Sequence, residues 1–258
     1  MAIDIRTEAA KYYDLNPDVP KDLQFYRNRI LSSDCEVLEL GCGTGRVLVS
    51  LARYCAYIHG IDISEAMASI CREKLKQAHV SITKASVQVG DITNLSLDRK
   101  FDLMIAPYRV FQNLETDAEI DGFFETVRRH LAPEGRCILN VFNPNRDVET
   151  LRREWVSPEE YKSWETIIGD ERITCHGKNT RMDTVKMVLY PELIYRRYRG
   201  GSLVEEVVIK IVMRAYYANE FDQLIKEHGF EILRRWGGYH GESYGEGPEL
   251  VIEFKHKR

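Results

Sequence analysis

The sequence predicts an α/β fold: a doubly wound, mostly parallel seven-stranded sheet with an antiparallel β insertion between strands 5 and 6. Three observations predict it. Strand-like and helix-like segments alternate from about residue 35 to residue 142. A glycine-rich turn, Gly41-Cys42-Gly43-Thr44-Gly45, joins the first strand of that series to its first helix. The helical period then disappears between about residues 171 and 216 and returns for one more helix, followed by two closing strands. Strand–helix alternation of this kind implies parallel strands joined by right-handed crossovers.

The elements follow in order. Residues 35–40 (CEVLEL) form a short apolar strand, and a helix over about 45–54 follows the glycine turn. Residues 56–62 (AYIHGID) make a second strand. Ser64 is a good N-cap for the next helix, whose Met67, Ile70, Cys71 and Leu75 keep a buried-stripe spacing. Residues 87–91 (VQVGD) and 101–106 (FDLMIA) read as strands three and four. Ile120, Phe123, Phe124, Val127 and Leu131 repeat the helical spacing, and PEG at 133–135 turns the chain into a fifth strand over 136–142. Residues 151–168 are mixed in character. The stretch 183–217 reads as two long strands joined by Gly200-Gly201, a pair that tolerates the positive φ of a tight hairpin. Asn219 opens a last helix, Gly229 ends it, and two strands near enough to pair antiparallel complete the sheet.

Composition narrows the function. With 36 basic and 40 acidic residues the net charge is −4, without the basic surplus expected of a duplex nucleic-acid binder. No run approaches the roughly 18 apolar residues of a membrane span, and the first 14 residues lack a secretory pattern. The six cysteines are scattered with no C-x-x-C pair. They read as reduced, small hydrophobes of a cytoplasmic protein, with no metal site. A homodimer is left open.

In an open α/β sheet, ligands bind at the carboxyl ends of the strands, where the glycine turn lies. A nicotinamide fingerprint is G-x-G-x-x-G. Here Glu39 precedes G-x-G-x-G, so the third glycine, Gly45, comes one residue early. An acid there is unwelcome beside a pyrophosphate and suits an ammonium or sulfonium. Asp62 ends the second strand 21 residues after Gly41, close to the ~20 at which an acid accepts ribose hydroxyls. Asp91 ends the third strand, placed for an adenine amino group, with Ile92 beside the ring. Together these describe an adenosine without phosphate, carrying a cationic tail.

The segments EVLELGCGTGRVLVSLA, IHGIDIS, VQVGDITNL, FDLMIAPYRVFQNL and HLAPEGRCILNVFNP resemble the class I S-adenosylmethionine-dependent methyltransferases over about residues 10–145. KYYD, EWVSPEEY, KNTRMD and the late GF…GGY are similar to bacterial small-molecule N- and O-methyltransferases, including those that dimethylate amino sugars. The resemblance implies a Rossmann-like methyltransferase fold and S-adenosyl-L-methionine as cofactor. It implies binding by Tyr13, Glu39, Gly41, Cys42, Gly43, Gly45, Asp62, Ile63, Met67, Asp91, Ile92 and the backbone from Ala106. Residues 1–145 and 217–258 would form the cofactor core with N-terminal lid helices, and 146–216 an insertion walling the pocket of a small-molecule methyl acceptor. Trimming the 195–205 hairpin is then expected to alter acceptor handling and leave cofactor affinity nearly intact.

No catalytic dyad stands out. Acceptor-side candidates are Arg109, for an anionic group, Gln112, for orienting a donor, and His240, as a base; each has an equally simple structural reading. Tyr12 and Tyr13 point about 100° apart on a helix, so one packs and the other faces the site. The YRRYR run at 195–199 suits either a substrate phosphate or an exposed hairpin. Two alternatives stay open: a methyltransferase acting on RNA or protein, and a non-catalytic or nicotinamide-binding protein. The APYR after the fourth strand differs from the N-P-P-Y used on base amines, which counts against the RNA reading.

Overall fold

The alternating half of the chain closes into one sheet. A computed structural model describes residues 7–257; residues 1–6 and 258, at the outer ends of the two core segments, lie outside the described residues. The core strands are β1 (Glu36–Leu40), β2 (Tyr57–Asp62), β3 (Ala85–Val89), β4 (Phe101–Ala106) and β5 (Leu131–Phe142). The insertion adds β6 (Ser157–Ile168), β7 (Glu171–Asp183), β8 (Val188–Arg199), β9 (Ser202–Lys210) and β10 (Met213–Arg214) before the closing β11 (Phe230–Trp236) and β12 (Glu249–His256). The core order is β11-β12-β5-β4-β1-β2-β3, parallel from β5 to β3, with β12 antiparallel to both its neighbours.

The helices are α1 (Ala10–Tyr13), α2 (Leu23–Arg27), α3 (Arg46–Leu51), α4 (Glu65–Gln77), α5 (Asp117–His130), α6 (Val148–Trp155) and α7 (Ala218–Glu227). Ser64 caps α4 by accepting from the Met67 N–H, as its position in sequence suggests. A capping box between Thr116 and Glu119 starts α5 and fixes its register. The stripe Ile120, Phe123, Phe124 and Val127 is thereby set against the sheet and α7, where Phe111, Phe221 and Phe254 complete an aromatic core. All six cysteines are buried free thiols.

Three local readings change. The PEG segment is not a turn before β5 but a bulge within it. Phe101 pairs with Leu131 and Leu103 with Arg136, so residues 132–135 loop out of register. The mixed stretch resolves into α6, capped by Asp147, followed by the long strand β6. The two expected insertion strands are five: β8 and β9 form the hairpin at Gly200-Gly201, β7 pairs with the other edge of β8, β6 pairs with β7, and β10 continues the β9 edge.

The insertion is therefore its own five-stranded antiparallel sheet. Trp164, Ile173, Cys175, Tyr195, Val207 and Ile209 cluster on one face, and that cluster takes in Ala9 and Tyr12 from the N-terminal segment. No helix among the described residues is long and apolar enough to cross a membrane.

Gly45 sets how closely α3 and α4 approach. It sits at φ +84, and a Cβ there would collide with Sγ of Cys71 on α4. Gly45→Ala is expected to lower unfolding stability by about 2–4 kcal/mol, from left-handed backbone strain plus overpacking, measured by urea denaturation.

Candidate functional site

The glycine turn is held by β2. The N–H groups of Gly41 and Cys42 both donate to the Ile61 carbonyl, at 2.7 and 2.9 Å. The Gly43 N–H donates to Asp62 Oδ2 at 2.7 Å, and the Ser64 N–H donates to Asp62 Oδ1 at 2.9 Å. One carboxylate thus fastens the turn after β1 to the start of α4. At Gly43 (φ +52) an added Cβ would meet nothing nearer than the Tyr13 ring at 4.0 Å. The bare backbone here faces open space.

That space is a cavity of about 740 Å³ between the carboxyl edge of the core sheet and the inner face of the insertion. Its core side is lined by Glu39, Gly41, Cys42, Gly43, Asp62 and Met67, with Tyr13 from α1. Its insertion side is lined by Trp155, Tyr161, Trp164, Leu193, Tyr195 and Ile209. Glu39 is the anomaly. It occupies a central strand, is 2 % exposed, and its Oε2 is buried with no hydrogen-bond partner. Burial pushes its carboxyl well above the ordinary range, while nearby Arg46 works in the opposite direction. Trp155 also borders the cavity with its indole N–H unmatched.

The KYYD run sends three neighbouring side chains in three directions. Tyr12 leans on the insertion, stacking on Tyr195 at 5.4 Å and donating to Glu205 Oε2 at 2.7 Å. Tyr13 lines the cavity and meets Tyr108 edge-on at 6.5 Å. Asp14 accepts from Thr44 Oγ1 in the glycine turn and pairs with Lys74 of α4, each at 2.7 Å. Lys11 pairs with Glu205. A four-residue helix therefore bridges the insertion and the glycine turn. Nothing in the sequence pairs residue 12 with residue 205, and this clamp was not legible there.

Other expected site residues lie elsewhere. Gly45 is one step inside the turn, beneath α4. Ala106 is fully buried at the end of β4, and the following Pro107 and Tyr108 reach the cavity. Ile63 is 39 % exposed beside Asp62. Asp91 is exposed, its Oδ1 accepting from the Thr93 N–H and hydroxyl, and Ile92 packs on the core. None of these five is among the residues lining the cavity.

The acceptor-side candidates need correction. Gln112 is fully buried, donates to the Arg214 carbonyl and accepts from the Phe142 N–H, each at 2.8 Å, so both ends of its amide serve the joint between β5 and the insertion. Arg109 does line the cavity, but its guanidinium is engaged by Glu249, with Nε 3.0 Å from Oε1. Tyr108 and Arg109 both take positive φ, +55 and +64, a strained pair held by Asn140, which accepts from the Arg109 N–H and donates to Glu249. His240 is exposed at an adjoining cavity of about 340 Å³ that shares Pro20, Tyr108 and Arg109 with the main one, and its backbone N–H donates to Glu242. In YRRYR, Tyr195 lines the main cavity, while Arg196 pairs with Glu160 and Glu206, and Arg197 with Glu171 and Glu205. The run is a hairpin ion network.

A seven-stranded sheet with Glu39, a glycine turn and Asp62 at the carboxyl ends of its first two strands has the fold of the S-adenosylmethionine-dependent methyltransferases. Residues 37–135 match the methyltransferase domain family. The chain is 30% identical over 142 residues to the malonyl-[acyl-carrier protein] O-methyltransferase of Priestia megaterium, which is 52% of this chain and 48% of that enzyme. It therefore spans about half the length of that relative. It is 26% identical over 169 residues to the dTDP-3-amino-3,4,6-trideoxy-alpha-D-glucopyranose N,N-dimethyltransferase of Streptomyces venezuelae, covering 65% of this chain and 67% of that one. A crystal structure of an S-adenosylmethionine-dependent methyltransferase from Clostridium acetobutylicum superposes with TM-score 0.78 at 18% identity, covering 97% of this chain and 98% of that one.

The clamp on α1 is testable by pH. Hydrogen bonds from Lys11 and Tyr12 hold the Glu205 carboxyl down to about 2. A depressed carboxyl adds stability above its unfolded range and loses it as pH falls toward the folded value. Glu205→Ala is expected to remove about 1 kcal/mol of local stability at neutral pH. Amide exchange should rise over residues 9–15 and stay unchanged in the core strands, and the difference from the parent should vanish near pH 2.

Proposed function

We propose that the protein binds S-adenosyl-L-methionine in the glycine-turn half of the cavity and transfers its methyl group to a nitrogen or oxygen of a small molecule held against the insertion sheet. The observation that carries this reading is Glu39, a buried carboxylate with an unmatched oxygen beside bare backbone at Gly43. Such an oxygen suits an ammonium and repels a pyrophosphate.

The residues present fit the group. Glu39 would receive the amino group of the methionine end, together with the carbonyls that follow Ala106. Asp62 spends one lone pair of each oxygen on a backbone N–H and keeps the other for a ribose hydroxyl. Ile63 and Met67 would flank the nucleoside, with Asp91 and Ile92 at the adenine edge and Tyr13 closing over the methionine end. When bound, the cofactor supplies a sulfonium-activated methyl whose leaving thioether is neutral. The chain's task is then chiefly alignment, worth about 7–11 kcal/mol where reacting atoms are well oriented. The α1 bridge fixes Tyr13 above the glycine turn while Tyr12 grips the acceptor-side sheet. The names of the two relatives, one an O- and one an N,N-methyltransferase, support both acceptor atoms.

Two measurements test this. Asp62→Ala is expected to weaken S-adenosylmethionine binding by about 1.5–3 kcal/mol in titration calorimetry, the range for hydrogen bonds to a charged group. Preference for NADH in the parent overturns the reading. For Glu39 the sign is set by burial: the carboxyl is raised in the free protein and an arriving ammonium lowers it, so any proton it holds is released on binding. Binding enthalpy should therefore depend on the buffer's ionisation enthalpy, and affinity should rise with pH. Glu39→Gln should abolish both effects.

A further inference from the structure

We infer that the methyl acceptor is an amine on an apolar, ring-bearing skeleton without phosphate or carboxylate, selected by the inner face of the insertion sheet. This rests on the methyltransferase reading above.

The insertion side of the cavity carries rings and aliphatic groups, among them Trp155, Tyr161, Trp164, Leu193 and Tyr195, and no charged side chain among the described residues. Each cation on the rest of the lining is already engaged: Arg46 by Asp22, Lys74 by Asp14, and Arg109 by Glu249. An anionic acceptor would lose its hydration with no unspent cation to replace it. The diphosphate of a nucleotide-linked sugar, the substrate named for the Streptomyces venezuelae relative, has no counter-charge on this lining.

The attacking atom follows from the same list. A hydroxyl needs a base within hydrogen-bond reach. No histidine lines the cavity among the described residues, and its carboxylates, Asp14, Glu39 and Asp62, belong to the glycine-turn side. An amine brings its own lone pair, and apolar surroundings favour its neutral, attacking form. The nitrogen lone pair forms the new N–C bond as the C–S bond breaks, and that bonding pair leaves on sulfur as a neutral thioether. The resulting ammonium gives its proton to water. The unmatched indole N–H of Trp155 adds a donor for an oxygen on the skeleton.

The test uses the full chain saturated with S-adenosylhomocysteine and four matched probes: benzylamine, benzyl alcohol, benzoate and phenyl phosphate, with affinity read from thermal shift. Benzylamine is expected to bind at least about tenfold more tightly than either anion, and more tightly as pH rises and its neutral fraction grows. Tyr161→Ala removes a 48 %-exposed ring and leaves the core intact; by removing ring–ring packing it should weaken benzylamine about two- to fivefold. Benzoate or phenyl phosphate binding as well as benzylamine overturns the inference. So does benzyl alcohol outbinding the amine at high pH, indifference to Tyr161→Ala, or no benzylamine binding. If S-adenosylhomocysteine itself fails to bind, the underlying methyltransferase reading falls, a result distinct from these.

Discussion

One carboxylate organises the glycine-turn side of the cavity. Asp62 ends β2 and receives the Gly43 N–H from the turn after β1 and the Ser64 N–H from the start of α4. Two strands and a helix meet on its two oxygens. The glycines around it serve different ends. Gly45 lets α4 lie close, and Gly43 leaves the backbone exposed to the cavity. Because Asp62 is 4 % exposed, its charge is sheltered from bulk solvent, and these hydrogen bonds keep the turn in place before any ligand arrives. Pre-organisation of this kind removes an ordering cost from binding.

The second constraint is the bridge made by α1. Its four residues are too few for a stable helix in isolation. They hold position because Tyr12 stacks on Tyr195, Lys11 and Tyr12 meet Glu205, and Asp14 reaches Thr44 and Lys74. The glycine turn and the insertion sheet are thus mechanically joined through one short segment. This changes the meaning of the 195–205 hairpin, which the sequence presents as an acceptor wall alone. Because Glu205 anchors α1, and Tyr13 of α1 lines the glycine-turn side, shortening the hairpin reaches both halves of the cavity.

The core was legible because its signals are local. Apolar runs, the Ser64 cap, the glycine turn and the 21-residue interval to Asp62 are all read within short windows. The pairing of tyrosines was legible too, since adjacent helical residues diverge by about 100°. What escaped was long-range. The roles of Arg109 and Gln112 are decided by Glu249, Phe142 and Arg214, partners up to 140 residues away. The PEG bulge escaped for a different reason. Proline and glycine announce a break in regular pairing, but whether the break is a turn or a bulge depends on the register of β4 beside it. The insertion's strand count was underestimated because its long strands alternate imperfectly. Both faces are partly covered, one by the N-terminal segment and the other by ion pairs such as Arg196 with Glu160.

The insertion leaves the core after β5 and returns just before α7, and its two ends are stitched together where the Tyr217 hydroxyl donates to the Arg146 carbonyl at 2.7 Å. Departure and return therefore share one doorway. β12 slots between β5 and β11, and no strand of the insertion enters that sheet. The pairing of the seven core strands is thus complete without any strand of the insertion, so a change in the insertion's strands leaves the core strand order untouched.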